Sequence, residues 1–560
     1  MSVRSDVGNR PMPQGEERNH PKAWDPGVLI MNIILSIIGA IIGIQIITTL
    51  GVTPNTSIIG VLIAIVVSRI PFQVFQRFRN VHRQNLVQST ISASTFGAAN
   101  SLILPIGIPV LLGRPDLLIP VLIGATMGMV IDWFMLYWMF DTRIFPGRDA
   151  WPPGVAAAEA IYAGDEGGRR AALLGVGTIA GLIGSYFSFS MSAFGVAFIG
   201  NIFALTMFGV GLLLRGYSTQ LFGLDINTLY VPHGMMIGAG VVALVQVFFI
   251  LTRRSPRAQE VAVNPPPVSG GAGTAEGTMT LAPAPFTRSE AALGRGLGVG
   301  FALYIAAAIV LALITGIYGQ MDAVHMVVWV VYAAVACIAA EFIVGLSAMH
   351  AGWFPAFATA LIFLVIGMLM GFPTVALGVL VGFVASGGPS FADAGYDLKS
   401  GYLLRGEGRD LAFERAGRWQ QIVAGLIGLA VAWLVVALFH NIYFSHNLFA
   451  PVDRVYATTI KAGVDPTIIR ELLIWAIPGA LIQALGGPDR QMGILLATGL
   501  LIVNPLAGWA VLLGIAIRVI VLRIYGKQAE APMFIFAAGC IAGDALWGFG
   551  SSALHAKWNL

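Results

Sequence analysis

Apolar residues in this chain fall into long runs, separated by short clusters of charge, Pro and Gly. A helix needs about 20 apolar residues to cross the hydrocarbon core of a bilayer, and runs of 16 to 28 residues meet that need here. Seven precede residue 252, at about 27–50, 57–74, 86–112, 117–140, 171–192, 194–214 and 228–251. Nine follow, at about 296–318, 325–346, 354–371, 374–391, 419–439, 471–486, 491–507, 508–525 and 532–553. The pattern predicts an all-α polytopic membrane protein with about sixteen transmembrane helices.

Residues 252–295 separate the two groups. They contain Pro265-Pro266-Pro267 and Ser269-Gly270-Gly271-Ala272-Gly273, a composition that cannot bury apolar surface and reads as a flexible linker. The chain therefore divides into a polar tail (1–26), a first membrane repeat (27–251), the linker (252–295) and a second repeat (296–560). A Gly-Leu-Ile-Gly tetrapeptide at Gly181–Gly184 returns at Gly425–Gly428, which points to two homologous halves. Transporters built this way commonly hold substrate between the repeats, near the bilayer midplane.

Charge changes the picture in one respect, which is orientation. Lys, Arg, Asp and Glu make up 11% of 560 residues, where a soluble chain carries about 25%. That excludes a set of soluble domains, a disordered chain and an anchored enzyme with a large polar head. Arg77, Arg79 and Arg83 follow the second run and Arg143, Arg148, Arg169 and Arg170 the fourth, so those loops and the tail belong on the cytoplasmic side of an inner membrane. Seven spans before the linker put Arg253, Arg254 and Arg257 outside, and a short eighth segment over 217–227 would restore the parity. The run after the tail is too long for a cleaved leader.

Chemistry is sparse. Net charge is +4 with no basic stripe interleaved with aromatics, which excludes nucleic acid as a partner. Cys337 and Cys540 are isolated, and no cofactor or metal set is spelled by spacing. The eight His residues show no recurring spacing for haem ligation. Gly526-Lys527 is followed by Gln528, so no phosphate-cradling loop occurs, and energy must come from an ion gradient. A membrane-embedded enzyme would need a nucleophile and base in register, and none is found. A channel stays open as a further class.

Four segments are too polar or too broken for lipid-facing helices and are candidate pathway elements. They are Asn85 to Ser94 with Gln88 and Ser89; Trp151 to Glu159 with Gly154; Gly388-Pro389-Ser390 leading to Tyr396, Asp397, Lys399 and Tyr402; and Gly539 to Leu546 with Asp544. Asp397 and Lys399 read either as a solvated pair ending a charged loop or as a cation and an acid on the pathway, Lys399 offered to a substrate carboxylate. Glu341 lies alone inside 327–347, where an isolated charge costs about 2.5–3.5 kcal/mol. It is a candidate proton carrier or a hydrogen-bonded core acid. Asp544 carries the same pair of readings, as do His233 and His350, the latter in a small-residue break and also a candidate substrate contact, while Glu159, in a segment too short to span, is a candidate proton carrier lining the inner vestibule. Asp132, followed by Trp133, Tyr137 and Trp138, reads as a structural acid at the cytoplasmic interface.

The run Asp397-Leu398-Lys399-Ser400-Gly401-Tyr402-Leu403-Leu404 resembles the Asp-Leu-Lys-Thr-Gly-Tyr-Leu-Leu signature of the oligopeptide transporter family, which includes the yellow-stripe metal-chelate transporters. Asn85 with Gln88 and Ser89 is similar to its Asn-x-x-Gln-Thr, Pro152 to Ala158 to its Pro-Ser-Gly-x-Ala-x-Ala, and Gly539 to Leu546 to its Gly-Leu-Ile-Ala-Gly-Glu-x-Leu. Tyr396, Pro153, Ser400 and Asp544 stand where the family usually has Gln, Ser, Thr and Glu. The resemblance to a prokaryotic-type member implies duplicated halves totalling about sixteen helices. It also implies proton-coupled uptake of short peptides, or of metals held by peptide-like chelators. Expected partners are thus the substrate, protons and the bilayer, with a second copy of the chain as a candidate.

Overall fold

The computed structural model describes residues 20–50, 61, 80–252, 286–352, 354–463 and 466–555. The expected span at 57–74 lies outside the described residues except for position 61, as do most of the tail and of the linker. Every regular element among the described residues is a helix, and ten are long and apolar enough to cross a membrane. The apolar runs at 354–371 and 491–507 are met by shorter helices, Ala356–Leu369 and Met492–Leu501.

In chain order the first group holds α1 (Pro26–Leu50), α2 (Val81–Phe96), a π-helical stretch (Gly97–Ile103) leading into α3 (Leu104–Leu111), and α4 (Leu118–Met139). It continues with α5 (Pro152–Glu166), α6 (Gly168–Tyr186), α7 (Met191–Ile199), α8 (Ile202–Phe222) and α9 (Val231–Thr252). The second group holds α10 (Glu290–Thr315), α11 (Ala323–Ala351), α12 (Ala356–Leu369), α13 (Thr374–Leu404) and α14 (Leu411–Ser445). It ends with α15 (Pro451–Ala462), α16 (Pro466–Gly486), α17 (Met492–Leu501), α18 (Pro505–Tyr525) and α19 (Glu530–His555).

Three differences from the sequence pattern have local causes. The run at 194–214 is cut between α7 and α8, because the Asn201 side chain accepts from Phe203 N and Ala204 N and starts a new helix. The run at 491–507 is cut in the same way, with Asn504 accepting from Ala507 N and Pro505 in the first turn. The third is α13. Expected to end near 391 and continue as a broken segment, it runs unbroken for 31 residues through Pro389, Asp397 and Lys399.

The two cuts reveal a repetition. A long helix, a short helix, a break at Asn and two long helices occur as α6–α9 and again as α16–α19. These elements pack in reverse order: α6 on α19, α7 on α18, α8 on α17, α9 on α16. Glycine sets the spacing. A Cβ on Gly181 would strike Cys540 O and come 2.8 Å from Gly543 Cα, and one on Gly499 would strike Phe208 O and come 3.0 Å from Gly211 Cα. The recurring tetrapeptides do not mark this relation, since Gly181 faces α19 whereas Gly425 faces Trp133 of α4 and Gly428 faces Thr90 O of α2.

The remaining helices surround α13, which is buried along nearly its whole length and packs against α2, α4, α5, α11, α12 and α14. That helix carries the candidate site.

Candidate functional site

Polar residues occupy every face of α2, so it has no single apolar stripe and needs partners all round. Asn80 starts it by accepting from His82 N and Arg83 N. Beyond that turn, α2 lies antiparallel to α13 in constant register. Asn85 Nδ2 donates to Ser400 Oγ (2.8 Å), Gln88 Nε2 to Asp397 Oδ1 (2.5 Å) and Ser92 Oγ to Asp393 Oδ1 (2.6 Å). Each step forward along α2 is matched by an equal step back along α13, three residues and then four. From α14, Gln421 Nε2 donates to Asp397 O (2.6 Å) and lies 3.2 Å from Ser89 Oγ. The result is a polar wall inside an apolar bundle, closed upon itself. Asp397 Oδ2 and Asn85 Oδ1 have no donor among the described residues.

Lys399 points away from Asp397. Its ammonium is buried and donates to Gly147 O (2.8 Å), in the loop between α4 and α5, and stands 5.9 Å from the centre of the Tyr402 ring. That loop is fastened by Asp141, which accepts from Gly147 N, Thr287 N and Thr287 Oγ1 at 2.6–3.0 Å. In the same loop, burial pushes the Asp149 carboxyl above its ordinary value, opposed by the charges of His350, Lys399 and Arg148. The Tyr396 ring meets Trp151 edge-on at 6.2 Å, and neither the Tyr396 hydroxyl nor Trp151 Nε1 has a hydrogen-bond partner among the described residues. Gly154 lets α5 lie against α13, since a Cβ there would come 2.5 Å from Tyr396 O and 2.7 Å from Lys399 Cβ.

The wall ends at a buried ion network. Arg405 contacts Glu414 through two nitrogens (2.8 and 3.1 Å), and Arg418 reaches Glu414 (2.9 Å), Phe140 O (3.0 Å) and Thr287 Oγ1 (2.9 Å). Sequence reading passed over this region as a charged loop. It holds the end of α13, the start of α14 and the α4–α5 loop together.

The structure thus gathers Asn85, Gln88, Ser89, Gly154, Tyr396, Asp397, Lys399 and Tyr402 around the second half of α13. His350 lies at the end of α11, its Nδ1 2.9 Å from Leu346 O and its carbonyl accepting from Asn201 N (2.8 Å), with Asp149 near enough to feel its charge. The candidate proton carriers do not gather. Glu159 is paired with Arg170 (2.6 Å). Asp544 accepts from Ser185 Oγ and from Ser192 N (2.9 Å), holding the first turn of α7. His233 borders a cavity of about 80 Å³ with Tyr230, Leu361, Met368 and Leu472. Glu341 is buried in α11, and neither of its oxygens accepts a hydrogen bond from a donor among the described residues.

One acid escaped the sequence reading. Asp393 lies four residues before Asp397 and therefore on the same helical face, a periodicity hidden by ending the span at 391. Asp132, read as a structural acid, is fully buried, and Trp133 beside it packs into the space left by Gly425 of α14.

No curated protein matches the chain. A family model described as OPT oligopeptide transporter protein matches residues 26–252 and 279–555, the whole membrane part on both sides of the linker.

Proposed function

The chain belongs to the oligopeptide transporter family, a family of transporters and not of enzymes, and from that premise we propose that it imports short oligopeptides together with protons by alternating access. The observation carrying this reading is the closed polar wall between α2 and α13. A membrane interior tolerates Asn85, Gln88, Ser92, Asp393, Asp397 and Lys399 only while each is matched, so a wall of this kind has a use when it opens to a polar solute. In the open state Lys399 takes the peptide carboxylate, and the acids of α13 and the α4–α5 loop take its amino end. Glu341 carries the proton. Glu159 and Asp544 serve the fold through their ion pair and cap. The tail and the loops after the second and fourth runs lie in the cytoplasm, and the protein sits in an inner membrane.

One proton moving down 100 mV contributes about 2.3 kcal/mol, enough for roughly fifty-fold accumulation. The test is uptake into proteoliposomes with an imposed inward proton gradient, offering labelled di- to hexapeptides and, separately, iron on a peptide-like chelator. Peptide accumulation that collapses with a protonophore supports the reading. Accumulation of the chelate alone transfers the same mechanism to metal acquisition, and accumulation of neither removes both substrates.

A further inference from the structure

Three helices bring buried titratable side chains to one point. Asp132 comes from α4, Tyr304 from α10, and Glu341 from α11, with Cys337 one turn before it. The Tyr304 hydroxyl donates to Asp132 Oδ1. Glu341 faces both, close enough to interact with the Asp132 carboxyl and the Tyr304 hydroxyl. On the fourth side is α13, which contributes Gly387. A Cβ there would come 2.9 Å from Asp132 Oδ2, and the nearby Ser386 hydroxyl is turned to its own Phe383 O. The groups interacting with the pair, among the described residues, are Tyr304 and Cys337, which bring no cation.

The hydrogen-bond count is short at this point. Asp132 Oδ2 and both Glu341 oxygens are buried with no donor among the described residues. Carboxyl groups are acceptors when ionised and gain a donor when protonated, so a single proton on one acid satisfies an oxygen of each. Two ionised groups here would repel at short range in a medium of low dielectric. Two neutral acids would leave the Tyr304 hydroxyl opposite a weaker acceptor.

We propose that Asp132 and Glu341 together bind one transported proton, shared between their carboxyls, with Tyr304 as the positioning residue that holds Asp132. The inference rests on the proton-coupled reading given above and names the partner of Glu341 in it. The site reports on the state of the wall, because Gly387, at its rim, lies on the same helix as Asp393 and Asp397. On binding, a proton adds to a carboxylate oxygen of the pair and is hydrogen-bonded by the other acid. On release it returns to water when the helices part.

The full chain in lipid nanodiscs, studied by infrared difference spectroscopy between acidic and alkaline buffer, tests this without any substrate. Wild-type protein is expected to lose one carboxylic C=O band as pH rises. Glu341→Gln and Asp132→Asn are each expected to abolish that band or displace its midpoint, and the double variant, which keeps neither carboxyl, should lose it altogether. Tyr304→Phe should keep the band but move its midpoint, which a purely structural tyrosine would not do. A band of wild-type midpoint in Asp132→Asn overturns the proposal. If that variant fails to fold, a wild-type midpoint in Tyr304→Phe overturns it instead. Absence of peptide uptake with the shared band intact would defeat the substrate reading and leave the proton site standing.

Discussion

Two helix crossings in this molecule solve the same problem with opposite chemistry. Where α6 meets α19, Gly177 and Gly181 face Gly539 and Gly543 and the backbones touch, with a single polar pair, Ser185 donating to Asp544, beyond the glycines among the described residues. Where α2 meets α13, Asn85, Gln88 and Ser92 face Ser400, Asp397 and Asp393, and the contact is a row of hydrogen bonds. The first crossing depends on dispersion and shape, and can only fit or fail. The second depends on pairings that a polar solute or water can replace one for one. A transporter needs both, a frame that keeps its geometry and a wall that opens.

The comparison breaks most sharply at Gly181. Gly181→Leu is expected to prevent folding, at a cost above about 3 kcal/mol, because the added atoms meet the backbone at Cys540 and Gly543. Gly175→Leu, on the same helix with open space around it, is expected to be silent in the same size-exclusion and thermal-melting assay. A tolerated Gly181→Leu would mean that the frame is as pliable as the wall.

Glu414→Gln is expected to cost about 3–5 kcal/mol, since Arg405 and Arg418 would then be buried with no counter-charge. Thermal unfolding of the detergent-solubilised chain reads it. Smaller in stability but larger in transport is Lys399→Ala. It should raise KM about tenfold or more for peptides with a free C-terminal carboxylate and much less for their amides. An equal loss for both would return Lys399 to a purely structural hold on Gly147.

The smallest effect concerns the tail. Burial and the Arg405 charge lower the His20 pKa to about 4, so the folded chain holds its neutral ring where the unfolded chain takes a proton. This contribution is fully present above pH 6.5 and is lost as pH falls through about 4. His20→Gln should flatten that part of the stability curve, and an unchanged curve would show that the tail is not tied to the Arg405 network.

How much was legible in advance follows from distance along the chain. Both crossings carried signals: GxxxG in α19, and the polar run from Asn85 to Ser94. The pairing of segments carried none, because Ser400 is 315 residues from Asn85. Residues 393–400 looked like the edge of a loop, since Asp393, Asp397 and Lys399 are costly in a membrane helix unless something distant receives them. The gathering of eight of the nine expected substrate contacts around α13 was foreshadowed by their motifs. The burial of Asp132 had no local signal beside Trp133, Tyr137 and Trp138, because it depends on distant segments, Tyr304 of α10 and Gly425 of α14, which takes in Trp133.

Class, helical content and the positions of the apolar runs followed from sequence alone, because the bilayer imposes length and hydrophobicity on each segment separately. Which polar groups meet was settled only by the tertiary structure. Pairing energy depends on the partner across the contact, and α2 finds its partner in α13, just as Glu341 finds Asp132, across more than 200 residues of intervening chain.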